Sequence, residues 1–165
     1  WHSIQAAYKI MLEALRLGPA LLRELVGAIP PEALERRRGE GFWTLREHLE
    51  HLVAVQPMLY GRLDLFLREE HPRITPYAPG QDEPPSGERR KSAEELLELF
   101  ERWRLRQTDL IRSAPPEVWR RQAAHPEYES YDFEILVRHI ALHDGTHLYR
   151  MEELWLLADE ALSKA

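Results

Sequence analysis

The sequence contains no cysteine, and this absence limits the chemistry that its side chains can perform. Disulfide bonds, thiolate metal ligands and a cysteine nucleophile are all excluded. Any metal ion bound by this chain must therefore be held by His, Asp, Glu or water. Any thiol that takes part in a reaction must come from another molecule.

Long apolar runs and phosphate-binding loops are also missing. No stretch of about 18 apolar residues occurs, and Lys9, Glu13 and Arg16 interrupt the region where a signal peptide would have its apolar segment. Glycine-rich phosphate loops and the G-x-S-x-G motif are absent. The formal net charge of -6, with arginines interspersed among acidic residues, argues against a nucleic-acid partner. We therefore expect a cytoplasmic protein that does not enter a membrane.

Apolar residues recur with helical spacing in four segments of the chain, which predicts an all-α protein. The first segment is interrupted by Pro19, where we expect a kink or a break. The second and third segments begin at capping boxes, formed by Thr44 with Glu47 and by Ser92 with Glu95. No alternating pattern typical of β-strands competes with these helices.

The remaining features predict how the helices are connected. The second helix should kink at Pro57, and the fourth should run from after Ser130 towards Leu162. Residues 71–91 combine proline, glycine and charge without an apolar period, which predicts a long loop. We therefore predict one domain over residues 1–165, a four-helix bundle of the up-down-up-down type with a long crossover loop between helices 2 and 3.

Histidines in the second and fourth predicted helices are candidate metal ligands. His143 and His147 are four residues apart, so their imidazoles project from one helix face and can reach a common ion. For any one of them, including His139 on the same arc, the alternative is a buried histidine satisfied by hydrogen bonds. The helical period places His48 near the centre of the second helix's apolar stripe and His51 at its edge, so periodicity alone favours His48. A ligand at the rim of a pocket need not lie at the centre of the stripe, and the bend at Pro57 shifts the angular reference, so the sequence leaves both open.

Two segments resemble the motifs of a known family. WTLREHLEHL, at residues 43–52, and HIALHDGTHLYRM, at residues 139–151, look like the DinB-like family, also described as YfiT-like metal-dependent enzymes. The segments PALLRELVGAIPPEAL and HPEYESYDFEILVRH also resemble the family, so the resemblance covers nearly the whole chain. In the family pattern His51 occupies the ligand position, and His143 and His147 match the paired ligands.

The resemblance implies a four-helix bundle with a divalent metal ion, commonly zinc or nickel, at an open site of three histidines, and often a homodimer. Some members of the family are transferases or isomerases that use low-molecular-weight thiols such as bacillithiol or mycothiol. This chain departs from the family pattern at His48, where an apolar residue is usual, and at Arg150, where glutamine is frequent.

These observations predict a metal-dependent enzyme that acts on a small molecule. An ion held by three neutral imidazoles keeps its positive charge and lowers the pKa of bound water or of a bound thiol. The expected reaction is transfer chemistry with a small thiol. The alternatives are metal-assisted hydrolysis of an ester or amide, and a non-catalytic, metal-stabilised stress-response module.

Other residues have two interpretations each. Arg150 is a candidate for binding a carboxylate of the thiol cofactor or the substrate, and a surface ion pair is its alternative. Asp144 could orient an imidazole or be solvated, and His125 could line the pocket or be a free loop histidine. Exposed aromatic residues that could form a two-fold interface are predicted to include Trp103, Trp119 and Trp155.

Overall fold

The computed structural model describes residues 2–77 and 90–163, which are helical apart from loops and two isolated β-bridges. Its elements within these ranges are α1 (His2–Ala28), α2 (Pro31–Leu34), α3 (Leu45–Ala54), α4 (Gln56–Arg68), α5 (Ala93–Ser113), a 3-10 helix (Pro116–Arg120) and α6 (Phe133–Leu156). The prediction of an all-α fold is confirmed. No helix in the described ranges has the length and apolar character that crossing a membrane requires.

Both predicted capping boxes are present, at the starts of α3 and α5. The Glu47 N–H donates to the Thr44 hydroxyl at 3.0 Å, and the Thr44 N–H donates to the Glu47 carboxylate at 2.7 Å. Ser92 and Glu95 make the same pair of hydrogen bonds, at 3.1 and 2.6 Å. These bonds satisfy backbone donors that the first turn of a helix leaves unpaired, so they fix where each helix begins.

The second predicted helix is divided into α3 and α4, so the change at Pro57 is a break between two helices. Pro57 has no backbone N–H to donate to the Val53 carbonyl, and its ring crowds that carbonyl. The Gln56 side chain donates instead to the neighbouring Leu52 carbonyl at 2.6 Å. The break therefore keeps one of its backbone acceptors satisfied.

The last helix begins as predicted but ends early. The Asp132 carboxylate caps its first turn by accepting the N–H of Ile135 at 2.8 Å. α6 ends at Leu156, whereas the sequence predicted that it would run towards Leu162. The Arg38 guanidinium donates to two backbone carbonyls at this end, at 2.6 and 2.7 Å, and thereby satisfies acceptors that a longer helix would have used.

The core consists of two apolar clusters, and α1, the α3–α4 segment, α5 and α6 contribute residues to both. The first cluster takes the first half of α1, all of α4, the end of α5 and the start of α6, represented by Leu15, Leu63, Ile111 and Phe133. The second takes the end of α1, all of α3, the start of α5 and the end of α6, represented by Val26, Leu49, Leu97 and Met151. The clusters thus occupy opposite ends of a four-helix bundle, as the sequence predicted for the architecture.

The predicted up-down-up-down order, however, is wrong. α1 runs from the first cluster to the second, the α3–α4 segment and α5 both run from the second to the first, and α6 runs back. The two described ends of the connection before α5 account for this order; residues 78–89 of the predicted crossover loop lie outside the described residues. It leaves α4 at the first cluster, where Ile74 is buried, and the Lys91 carbonyl accepts a hydrogen bond from Arg46 at the opposite end. The second and third long segments are therefore parallel, in an up-down-down-up bundle.

A layer of buried polar side chains lies between the two clusters. Arg104 of α5 pairs with Asp144 of α6, with 2.7 Å between Nη2 and Oδ2, and the two side chains are only 2% and 4% exposed. The Arg104 Nη1 also donates to the Leu15 carbonyl of α1 at 2.9 Å, and its Nε donates to Gln107 at 3.1 Å. Gln107 donates in turn to the Gln56 side chain at 2.7 Å, so the layer joins all four segments of the bundle.

Helix α1 is continuous through Pro19, so the predicted break is wrong, and the predicted kink stays a prediction. Pro19 has no N–H, so the Leu15 carbonyl four residues earlier lacks its helical donor, and Arg104 supplies a replacement. Gly18 provides the space for this contact. A Cβ atom at Gly18 would lie 2.9 Å from the Asp144 Oδ2 and 3.0 Å from the Arg104 Nη1.

The prediction that three tryptophans are exposed is wrong. Trp119 is only 4% exposed, because its ring packs edge-on against Tyr8 and Phe133, with centroids 5.2 and 5.1 Å apart. Trp103 and Trp155 are half-buried, and Trp155 packs against the second cluster. The predicted homodimer therefore receives no support from these residues and stays a prediction.

Candidate metal centre

The fold brings three of the predicted histidines to one point. His51 lies in the last turn of α3, and His143 and His147 lie one turn apart on α6, which packs against α3. One ring nitrogen of each lies within 4.8 Å of the others. All three residues are half-buried, so each retains partial exposure to solvent.

The spacing of these nitrogens suits a small divalent ion. The His51 Nε2 and the His143 Nε2 are 3.3 Å apart. Two nitrogens bound to one tetrahedral ion at about 2.0–2.1 Å would be separated by about 3.3 Å. The ring centroids of the three histidines are 4.6–5.3 Å apart, so each ring approaches both of the others. Three imidazole nitrogens are a donor set that suits zinc and nickel.

His48 does not belong to this group but contacts it. Its Nδ1 lies 2.8 Å from the Nδ1 of His147, and the residue is 7% exposed. His48 and His51 project towards the same side of α3, but it is His51, at the edge of the apolar stripe, whose ring nitrogen lies with those of His143 and His147. The structure therefore places His51, the residue indicated by the family resemblance, with His143 and His147.

The environment of His48, His143 and His147 keeps these three imidazoles neutral. Burial lowers the pKa of His48 to about 4, and the charges of Arg150 and His51 lower it further. Burial also lowers the pKa of His143 to about 4 and that of His147 to about 3, and neighbouring histidines act in the same direction. At neutral pH each of these rings consequently has a lone pair available for a ligand or a hydrogen bond.

Trp43 forms one wall of the group, a role that the sequence analysis did not predict. Its ring centroid lies 5.0 Å from that of His48, 5.2 Å from His51 and 6.1 Å from His147, and it is stacked on His147 with an angle of 21°. Trp43 is 44% exposed, so it separates the histidines from solvent on one side. It precedes the first residue of α3, where the helical period gives no information on direction.

Arg150 has structural partners near the group. Its Nη1 lies 3.1 Å from the Glu153 Oε2, its Nη2 donates to the Ser163 carbonyl, and its Cζ lies 5.5 Å from the centroid of the Phe42 ring. The side chain is 16% exposed, so the ion pair lies mostly below the surface. Its predicted role in binding a thiol cofactor or a substrate carboxylate stays a prediction.

The other candidates lie outside the group of three. Asp144 is not solvated, because it is buried beside Arg104, and burial raises the pKa of its carboxyl while Arg104 opposes the shift. His125 is not a free loop histidine, since its ring lies 4.6 Å from Tyr131 and its Nδ1 accepts the N–H of Glu127. His139 packs against Tyr131 at 5.5 Å. Neither His125 nor His139 belongs to the group of three formed by His51, His143 and His147.

A helical bundle that presents three converging histidines from two helices defines a class of candidate metal-binding proteins. Comparison with known families places the chain more closely, because the DinB superfamily matches residues 14–151. The chain belongs to this superfamily.

Individual relatives agree with that assignment. The chain is 31% identical over 139 residues to OB0782 of Oceanobacillus iheyensis, covering 82% of this chain and 78% of the relative. It is 29% identical over 156 residues to YfiT of Bacillus subtilis, covering 87% and 81%. Both relatives carry names that describe them, by inference, as metal-dependent hydrolases.

A solved structure of Bacillus subtilis YfiT has the same fold. It matches this chain with a TM-score of 0.77 and 25% identity, covering 89% of this chain and 85% of that one. Its four-helix bundle topology is described as unusual. The second and third long segments of the present chain are parallel, which differs from a simple up-down-up-down bundle.

Proposed function

We propose that this chain is a metal-dependent enzyme that hydrolyses a small molecule, with His51, His143 and His147 as the ligands of a divalent ion. The observation that carries the proposal is the convergence of three half-buried imidazoles from α3 and α6. A divalent ion in such a site supplies Lewis acidity and lowers the pKa of a bound water or thiol. The family resemblance favours zinc or nickel, and imidazole ligands suit both of these ions as well as copper and iron.

The protein supplies uncharged ligands, holds them in position and shields the histidines from water on one side. No carboxylate or thiolate belongs to the group of three in the described ranges, so its ligands leave the charge of the ion uncompensated. The stacked Trp43 ring covers one side of His147 and limits the directions from which a substrate approaches. The three histidines themselves keep partial exposure to solvent, which binding of a substrate requires.

Hydrolysis is the preferred reaction because the names of two relatives describe it. Transfer of a small thiol such as bacillithiol is the second candidate, and the absence of cysteine requires that such a nucleophile be external. Binding of its carboxylate by Arg150 belongs to this second candidate. A homodimer, a cytoplasmic location and the absence of a nucleic-acid partner complete the proposal.

The ligand set is tested by elemental analysis of protein purified without a histidine tag. Each of the variants His51→Ala, His143→Ala and His147→Ala should lose most of the bound metal. His71→Ala is the matched control, because His71 is exposed and lies outside the group. Full metal content in any of the three ligand variants would contradict the proposed set.

The reaction is tested with the metal-loaded protein on a panel of esters and amides, and in parallel on small thiols with an electrophile. We expect hydrolysis that requires the metal and is lost in His143→Ala. In the cobalt-substituted protein, sulfur-to-metal charge-transfer absorption on adding a thiol, with no hydrolysis, would favour the transferase. Stoichiometric metal with no turnover of any substrate would favour the non-catalytic module.

A further inference from the structure

His48 makes a contact that the three-histidine site does not itself require. It lies on α3 three residues before His51, is 7% exposed, and places its Nδ1 2.8 Å from the Nδ1 of His147. This distance is typical of a hydrogen bond between ring nitrogens. One of the two Nδ1 atoms must therefore donate and the other must accept.

The metal site decides which nitrogen donates. A neutral imidazole has one N–H and one lone pair, so His147 can offer only one of its nitrogens to an ion. Since its Nδ1 is occupied by His48, its Nε2 is the nitrogen that remains for the group with His51 and His143. The Nε2 has a lone pair only when the proton is on Nδ1, so the His147 Nδ1–H donates a hydrogen bond and the His48 Nδ1 accepts it.

We propose that His48 is a positioning residue, which holds His147 in the tautomer and orientation needed to bind the metal through Nε2. The inference rests on the proposed metal site and adds a residue to it. Partners of this kind fix the ring of a metal-ligating histidine, and their loss typically lowers metal affinity about 10–100-fold. The metal retains its three ligands when His48 is replaced.

Packing supports this role. The Trp43 ring contacts both histidines, since its centroid is 5.0 Å from that of His48 and 6.1 Å from that of His147. The centroids of His48 and His147 are themselves 5.1 Å apart, at an angle of 59°. Two rings that share a hydrogen bond and one aromatic neighbour have little freedom to rotate.

The test compares His48→Asn, His48→Leu and the control His71→Asn in the full chain. The Oδ1 of asparagine occupies nearly the position of the histidine Nδ1 and can accept the same hydrogen bond, whereas leucine cannot. Zinc affinity is measured by competition with a chelator, after circular dichroism has established that each variant is folded. We expect His48→Leu to bind one zinc ion about 10–100-fold more weakly, and His48→Asn to recover most of the affinity.

The second measurement needs no metal. Two-bond proton–nitrogen correlation spectra of the metal-free protein at pH 7.5 should show the His147 proton on Nδ1 in the wild type and in His48→Asn, but not predominantly so in His48→Leu. A wild-type proton on Nε2, or equal zinc affinity in His48→Leu and the wild type, would overturn the inference. So would an asparagine variant that binds as weakly as leucine.

The two parts of the experiment separate this inference from the proposed function. Failure of the wild type to bind zinc would remove the proposed metal site, while the tautomer in the metal-free protein would still test the hydrogen bond. Complete loss of zinc from His48→Leu, equal to that in His51→Ala, would make His48 a ligand and contradict a positioning role.

Discussion

Replacing Arg104 by methionine would leave the Asp144 carboxylate buried without its cation. Both side chains are almost inaccessible, at 2% and 4% exposure, so water cannot replace the lost partner. Removing one member of a buried ion pair costs about 3–5 kcal/mol. The Leu15 carbonyl would also lose the donor that replaces the missing N–H of Pro19, which adds about 1 kcal/mol. We expect the free energy of unfolding to fall by about 4–6 kcal/mol in total.

The assay is urea and thermal unfolding of the metal-free protein followed by circular dichroism. At about 2–4 °C per kcal/mol for a chain of this size, the midpoint temperature should fall by about 8–24 °C. Arg112→Met is the matched control on the same helix, because Arg112 is 50% exposed and pairs with an exposed Asp109 at 3.4 Å. The control should change stability by less than about 1 kcal/mol.

The pH dependence gives a second signature. Burial raises the pKa of Asp144 even with Arg104 present, and removal of Arg104 should raise it further. A carboxyl whose pKa is raised by folding costs nothing below its unfolded pKa, and the cost grows as pH rises through the folded pKa. The stability difference between wild type and Arg104→Met should therefore be larger at pH 7 than at pH 4.

Two results would refute this reasoning. One is an Arg104→Met variant no less stable than Arg112→Met. The other is a double variant, Arg104→Met with Asp144→Leu, that is no more stable than Arg104→Met alone, because replacing both charges by apolar groups removes the unpaired carboxylate.

Three further predictions concern the pH dependence of stability, the replacement of two glycines in α1 and the oligomeric state. The pKa values of His48 and His143, about 4, and of His147, about 3, lie below the unfolded value of about 6.5. The unfolded state therefore binds more protons in this range, and the urea concentration at the unfolding midpoint of the metal-free protein should decrease as the pH is lowered from 6.5 to 4. A midpoint that stays constant would contradict the burial of these rings. Gly18→Ala should destabilise the protein despite the better helix propensity of alanine, because its Cβ would crowd the buried ion pair. Gly27→Ala, with nothing within 4 Å, should instead stabilise it by about 0.5–1 kcal/mol in the same unfolding assay, and equal effects would refute the argument. Light scattering at micromolar concentration should give twice the 19.4 kDa chain mass, and a monomer would exclude the proposed homodimer.

Local signals in the sequence were sufficient for much of the fold. The capping boxes at Thr44 and Ser92 predicted the starts of α3 and α5 because they depend on residues only three positions apart. The direction of α5 was predicted wrongly because it depends on where residues 71–91 lead. A proline- and glycine-rich loop is recognisable from composition, but composition does not indicate which end of the bundle it reaches.

The candidate site was predictable to a similar extent. His143 and His147 follow from their spacing on one helix, whereas the choice of His51 over His48 came from family resemblance. The burial of Asp144 could not be predicted, because its partner Arg104 lies on another helix and appears in the sequence as one charged residue among many. The Gly18-Pro19 pair was the only local sign that the buried Arg104–Asp144 pair lies against α1 at this point.

His51 and His143 are separated by 92 positions in the chain, and their nitrogens meet only when α3 and α6 are packed together. An ion bound there consequently has little affinity for the unfolded chain and favours the native state by mass action. At a free ion concentration about 100 times the Kd, this linkage adds about 2.7 kcal/mol to stability. Susceptibility to proteolysis should then follow the supply of the ion, so the abundance of the folded protein in a cell would depend on metal nutrition.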